Sequence, residues 1–328
     1  MKGFAAALSN AVLALVCAVL LPATTAEAAW PDRTIKFVVP FPPGGSTDIS
    51  ARVLAERLAK RLGTTIIIEN QPGASGLIGA STVVRAKPDG YTLLVTSNGL
   101  HSAAATGKAN FQLKSDLVPV SEMVGGALII VASKNAPFTD IKGFVEHAKK
   151  NPKKVDVAIT AALGAAHITF ENFRRAAGIQ YEAVYYNGES PALLALVSGV
   201  VPATIVAAPV ARPFIEDGRL VGLAVTTGQR FSLLPNVPTL AETVVPGFAD
   251  GYSSVMFAPK DTPDEIIQRL SREIAEVLKE PETVLKLREL GMVPIASTPA
   301  QYASKVSTDF DRNTQVIKDL RESGQVKD

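Results

Sequence analysis

Short β-branched runs alternate with longer stretches of helical periodicity through most of the chain. Ile35–Val39 reads as a strand. In Asp48–Leu62 the residues Ile49, Leu54, Leu58 and Leu62 fall on one side and Gly63 follows, which predicts a helix and its stop. Thr65–Glu69 predicts the next strand and Gly76–Ala86 the next helix. Lys87-Pro88-Asp89-Gly90 then turns into a strand at Thr92–Thr96. The small and polar stretch Ser97–Leu117 breaks this rhythm and predicts a loop or a short helix. A second series has strands at Leu128–Ala132, Val155–Ile159, Ala183–Tyr186, Thr204–Ala207 and Leu220–Val225. Its helices are expected at Thr139–Lys150, Ala165–Ala177, Pro191–Ser198 and Pro209–Glu216. The Pro-rich region Leu233–Phe248 leads to terminal helices at Pro263–Lys279, Glu282–Leu290 and Pro299–Glu322. Strands alternating with helices imply βαβ units and parallel sheets. Two such series with a long return segment fit two α/β lobes, and the pattern alone leaves open which lobe the last helices join.

The link between the first strand and the first helix is Phe41-Pro-Pro-Gly-Gly-Ser-Thr-Asp48. It brings backbone N–H groups, the positive end of a helix dipole and small hydroxyls to one point at a strand end. Those are the makings of an anion or carboxylate site. The turn carries no Lys, His or nucleophile, so it is built to hold a group rather than to react with it. Similar residues recur at other predicted strand ends: Ser97-Asn98-Gly99, Thr160-Ala161-Ala162-Leu163-Gly164-Ala165 and Asn187-Gly188-Glu189-Ser190-Pro191. In open α/β sheets ligands sit beyond the C-terminal ends of strands. A small anion clamped between two lobes accounts for this recurrence; the plainer account is that Gly, Ser and Asn make turns.

Composition narrows the function. Lys2, the apolar stretch Ala11–Leu21 and the small-x-small site Ala26-Glu27-Ala28 predict a cleaved secretion signal over residues 1–28. The one cysteine, Cys17, lies inside it, and Val16 before it argues against a lipid anchor. The mature chain therefore offers no thiol for a disulfide, a metal or a nucleophile. The net charge is +2 with basic and acidic residues interleaved, which gives no support to nucleic-acid binding. Past the signal no apolar run is long enough to span a bilayer. His101, His147 and His167 are too far apart for metal-ligand spacing. His147 sits in a charged run and reads as a solvated helix face. His101 reads as a loop residue and His167 as a capping or cleft residue. No G-x-S-x-G, H-E-x-x-H or P-loop motif occurs. Gly73, Gly76 and Gly79 have the wrong spacing for a dinucleotide fingerprint and predict a tight helix–sheet packing. No enzyme activity, metal or cofactor is expected.

These residues resemble the Bug-type, or tripartite tricarboxylate transporter, solute-binding receptors. The likeness rests on Trp30-Pro31, Phe37-Val-Val-Pro-Phe-Pro-Pro-Gly-Gly45 with Asp48, and Ala51-Arg-Val-Leu-Ala55. It continues through Ile68-Glu-Asn-Gln-Pro-Gly-Ala74 with Gly79, Lys87-Pro-Asp-Gly-Tyr-Thr-Leu-Leu94 and Asp116-Leu-Val-Pro-Val120. Leu223-Ala-Val-Thr226, Arg230, Leu234-Pro-Asn-Val-Pro-Thr239, Ala241-Glu242, Pro246-Gly-Phe248 and Ala258-Pro-Lys-Asp-Thr-Pro263 complete it. The resemblance implies a two-lobed periplasmic-binding-protein fold of type II-like character, with two doubly wound sheets joined by crossing strands. It implies one lobe of residues 30–127 plus 253–328 and another of 128–252. The expected function is non-enzymatic capture of a small carboxylate in the periplasm by a monomeric receptor, which delivers it to membrane permease subunits. A sensor-coupled receptor of the same fold, or an exported enzyme, are the alternatives.

The expected contacts are Phe41, Gly44, Gly45, Ser46, Thr47 and Asp48, then Ser97 and Asn98. The second lobe is expected to add Thr160, Ala161, Ala162, Gly164 and His167, with Tyr186, Asn187 and Ser190. Two departures from the family pattern bear on the solute. The loop Thr160–His167 is richer in methyl groups than usual, and Tyr185-Tyr186-Asn187-Gly188 replaces a Pro-Tyr-Lys-Gly run. With Phe41 and Leu163, the tyrosines suit an aromatic or partly apolar carboxylate.

Overall fold

The computed structural model describes residues 30–322, so the expected signal at 1–28 and Cys17 lie outside the described residues. The described residues from Arg33 onward form one compact unit, which carries everything below. Its elements begin with β1 (Ile35–Val39), α1 (Ser46–Leu62), β2 (Ile66–Asn70), α2 (Leu77–Val84), β3 (Thr92–Ser97), α3 (Gly99–Ala105), α4 (Leu113–Asp116) and β4 (Leu117–Gly126). They continue with β5 (Leu128–Ser133), α5 (Ile141–Lys150), β6 (Asp156–Ile159), α6 (Ala165–Ala177), β7 (Glu182–Tyr185), α7 (Glu189–Val197), β8 (Ala203–Ala207), α8 (Ala208–Glu216) and β9 (Leu220–Val225). The chain closes with α9 (Leu240–Thr243), β10 (Tyr252–Pro259), α10 (Asp264–Val277), α11 (Pro281–Glu289), β11 (Met292–Pro294) and α12 (Pro299–Glu322).

Two sheets result, ordered β11-β4-β10-β3-β1-β2 and β7-β6-β8-β5-β9. β1 lies between β2 and β3 and is parallel to both, as βαβ units require. Neither sheet is parallel throughout. β10 runs antiparallel to β3 and β4, and β5 antiparallel to β8 and β9. The reason is the connectivity: β4 passes through Ala127 straight into β5 of the other sheet, and β10 returns after residues 226–251. A strand arriving from the other lobe brings no crossover helix, so it need not lie parallel to its neighbours. Of these, the pattern of residues missed β4 and β10, while β5, β8 and β9 fall where it placed strands. Pro119, Glu122, Gly125 and Gly126 interrupt β4, and Ser253, Ser254 and Pro259 interrupt β10. All of β10 is buried, so it shows no alternation either.

Each sheet has its own core. Val38, Leu94, Phe257 and Tyr302 belong to the first, which α12 covers. Ile129, Val157, Phe144, Phe170, Phe173 and Ile205 belong to the second. α1 turns Leu54, Ala55, Leu58 and Leu62 to the interior and ends at Gly63, whose φ of 67° is the left-handed stop that glycine permits. Burying each such leucine contributes about 1.5–3 kcal/mol. At the crossing, Gly126 pairs with Tyr252, and a side chain at 126 would lie 2.9 Å from the tyrosine ring. Only glycine lets the crossing strands pack this closely. Among the described residues no helix is long and apolar enough to cross a membrane, and no His/Asp/Glu group could hold a metal.

Candidate ligand-binding site

The turn from β1 to α1 is held by Asp48. Its Oδ2 accepts from Gly44 N (2.9 Å) and Arg52 Nε (2.9 Å). Its Oδ1 accepts from Arg52 Nη2 (3.0 Å) and Asn70 Nδ2 (2.9 Å). The Asn70 amide also donates to Phe41 O (3.0 Å), which closes the turn on itself. Burial opposes ionisation of Asp48, but the hydrogen bonds from Arg52, Gly44 and Asn70 outweigh it and lower its pKa. Asp48 thus fixes the turn and does not border the cavity, so the expected contact is a scaffold instead. What the turn presents is the N-terminus of α1, where Ser46 and Thr47 are buried.

The facing loop of the second lobe is held by His167. Leu163 N donates to His167 Nδ1 (2.8 Å) and so supports Leu163 in a left-handed conformation with φ of 56°. The ring proton is then on Nε2, which lies 3.1 Å from the Tyr181 hydroxyl, and that hydroxyl donates to Glu171 Oε1 (2.7 Å). Burial holds the His167 pKa down to about 4 against the opposing pull of Glu171. Both ring nitrogens are engaged, which is the capping role. Gly188 N donates to Thr160 O (2.8 Å) and ties the second strand-end loop to the first.

The lobes meet closely. Ser190 Oγ donates to Pro43 O (3.1 Å), and a side chain at Gly99 would lie 2.4 Å from Ala165 N. Between these contacts lies a cavity of about 60 Å³. The N-termini of α1 and α6 both border it, through Gly45, Ser46 and Thr47 on one side and Gly164, Ala165 and Ala166 on the other. Glu189 joins them. Its Oε1 accepts from Ala207 N (2.7 Å) within its own lobe, and its Oε2 accepts from Ser46 N (2.6 Å) across the cleft. Tyr252, at the strand crossing, also borders the cavity, and its buried hydroxyl has no hydrogen-bond partner among the described residues. Burial, and then the Glu189 charge, push that phenol well above its ordinary pKa, so it stays protonated.

A larger cleft of about 1130 Å³ is lined by residues of both lobes, including Ile78, Arg85, Lys108, Leu163, Arg174 and Tyr185. Ser75 borders both spaces. The smaller one carries the converging helix ends and is the candidate site.

Of the expected contacts, Phe41, Gly45, Ser46, Thr47, Ser97, Thr160, Ala161 and Gly164 border the small cavity. Ala162 faces the larger cleft with Leu163 and Tyr185. Gly44, Asp48 and His167 hold loops in shape. Asn98 Oδ1 accepts from Ser253 N (3.1 Å), and Ser190 bridges the lobes. Tyr186 and Asn187 border neither space. Glu189 and Tyr252 were not expected. A glutamate opening a helix reads as an ordinary charge–dipole pairing, and Tyr252 opens a strand that the pattern hid.

The model of the tripartite tricarboxylate transporter family receptors matches residues 50–321. Protein BugT of Bordetella pertussis is 32% identical over 302 residues, which cover 91% of this chain and 93% of BugT. A solved R. palustris protein with adipate is 32% identical with a TM-score of 0.83, covering 88% of this chain and 97% of its own. The periplasmic binding protein BugD is 29% identical with the same TM-score of 0.83, covering 91% of this chain and 100% of BugD. These two solved structures share the mixed α/β architecture of two lobes. The chain belongs to the tripartite tricarboxylate transporter receptor family and is a solute-binding receptor of the Bug type, not an enzyme.

Proposed function

We propose that this receptor captures a small carboxylate, aromatic or partly apolar ones included, between its lobes and hands it to a two-component membrane permease. One observation carries the reading: helix N-termini from opposite lobes converge on one cavity, and an amide there, Ser46 N–H, already receives a carboxylate. Such helix ends favour anions by their free N–H groups and their dipoles together. The R. palustris relative with adipate supports the solute class. Residues 30–127 with 253–328 move as one body and 128–252 as the other, about the crossing at Gly126 and Tyr252. The solute enters the open cleft, meets the amides near Ser46–Thr47 and Ala165–Ala166, and is enclosed as Gly99 approaches Ala165. Charge-assisted hydrogen bonds in a space that excludes water supply the affinity. The receptor acts as a monomer, exported by its leader.

A thermal-shift screen of the purified protein tests this, with citrate-like, dicarboxylate, amino-acid, nicotinate and benzoate-type compounds. A solute present at a hundred times its Kd stabilises the fold by about 2.7 kcal/mol. Loss of cellular uptake of the same solute on deleting the receptor tests delivery. A flat response to the whole panel by folded protein overturns the carboxylate reading.

A further inference from the structure

Resting on the carboxylate reading of this cleft, we infer that Glu189 fills one of its two carboxylate positions from within the chain. The solute is therefore a monocarboxylate bearing a carboxamide where a dicarboxylate has its second acid group.

The position is a built one. Glu189 Oε1 accepts from Ala207 N at 2.7 Å inside the second lobe, a contact that does not depend on the first lobe. Closure adds Ser46 N to Oε2 at 2.6 Å. A hypothetical Cβ on Gly45 would lie only 3.2 Å from the same oxygen, which shows how closely the first lobe fits around it. Glu189 is thus not a loose side chain that a solute sweeps aside. Displacing it would strip both Ala207 N and Ser46 N of their acceptor.

The charge balance follows. Two helix N-termini face the cavity, and one of their leading amides is already neutralised. A second carboxylate placed beside Glu189 would set like charges together, which disfavours both in the ionised form. The N-terminus of α6 remains for one carboxylate of the solute. The other end of the solute meets Glu189, which can only accept hydrogen bonds, and the Tyr252 hydroxyl. Tyr252 is 5% exposed and that hydroxyl is without a partner among the described residues. A carboxamide answers both: its N–H₂ donates to Glu189 and its carbonyl accepts from Tyr252. A buried polar group left without such a partner is costly, and this cost is what makes hydrogen-bonding pockets selective.

The test is calorimetric titration at neutral pH of matched pairs: succinate with succinamate, glutarate with glutaramate, adipate with adipamate. Wild type is compared with Glu189→Ala, Glu189→Gln and Tyr252→Phe. Wild type should bind one half-amide at least about tenfold more tightly than its dicarboxylate, by the like-charge argument. Glu189→Ala frees Ser46 N–H and removes the charge, so it should reverse that preference, and Glu189→Gln should abolish it. Tyr252→Phe should weaken the half-amide and leave the dicarboxylate unchanged. An equal ratio in wild type and Glu189→Ala, with binding retained, overturns the role of Glu189 and leaves the carboxylate cleft standing. No binding of any pair by any of the folded proteins overturns the cleft reading and this inference with it.

Discussion

Acid should unlock the second lobe through one imidazole. His167 accepts a hydrogen bond from Leu163 N on Nδ1, so protonating that nitrogen sets N–H against N–H. The ring is 2% exposed and has no room to turn toward water. Its pKa falls from 6.5 to about 4 on folding, with burial the main cause. Between those values the unfolded chain binds the proton and the native protein does not. The stabilisation is therefore complete above pH 6.5 and is lost as pH falls through about 4. Each unit is 1.36 kcal/mol, so the loss between pH 7 and 4 is on the order of 3 kcal/mol. Urea unfolding at a series of pH values measures it, with His167→Gln as the control that keeps an acceptor but no titration. The difference between wild type and variant isolates this group, since the other titrating residues are common to both. Wild type should lose about 3 kcal/mol more than the variant across that range. Parallel curves would refute the assignment of His167 as a buried neutral acceptor.

Three other perturbations have definite outcomes. Gly99→Val places a branched side chain where a Cβ is already 2.4 Å from Ala165 N; the lobes should stay apart, with a larger radius of gyration by X-ray scattering and at least about tenfold weaker solute binding. Ser46→Pro removes the amide that meets Glu189, yet Ser46 opens α1 and Gly45 before it is extended (φ −80°, ψ 166°), a setting proline accepts. Denaturant stability should change by no more than about 1 kcal/mol, while calorimetry shows a large loss of affinity. Asp309 should control behaviour in stronger acid. Burial opposes its ionisation, but His101, Lys305 and Arg312 outweigh it and hold its pKa at about 2. Stability present above its unfolded value of 3.8 should fade as pH falls toward 2, and Asp309→Asn should flatten thermal-melting curves in that window.

The sequence made the parallel core legible because β1, the turn after it and α1 agree at every level: a β-branched run, a glycine-rich turn and an amphipathic repeat. The crossing strands were not legible, since β4 and β10 are shaped by the passage between lobes and not by local alternation. His101 shows the same limit. It lies in the stretch Ser97–Leu117, which predicts a loop or a short helix, and it is fully buried in the short helix α3 with Nε2 3.1 Å from the Tyr302 hydroxyl. Only the fold brings a helix near the end of the chain against one near the start. The loops that border the cavity were marked by their small residues. Which side chains enter it was not, because Glu189 and Asp48 both open helices in the sequence. One reaches across the cleft and the other folds back onto its own turn.

The order of strands in the first sheet also bears on how the protein is made. β10 sits between β4 and β3, and β4 has no other partner there except β11. A nascent chain that has emerged as far as residue 250 can complete the second sheet, whose strands all lie between 128 and 225, but its first sheet is still split into pieces. Long-range pairings of this kind form slowly. The half of the protein that carries the binding turn is thus the last to be finished, once β10 is available to enter between β3 and β4. Receptor competence therefore begins only when β10 is in place.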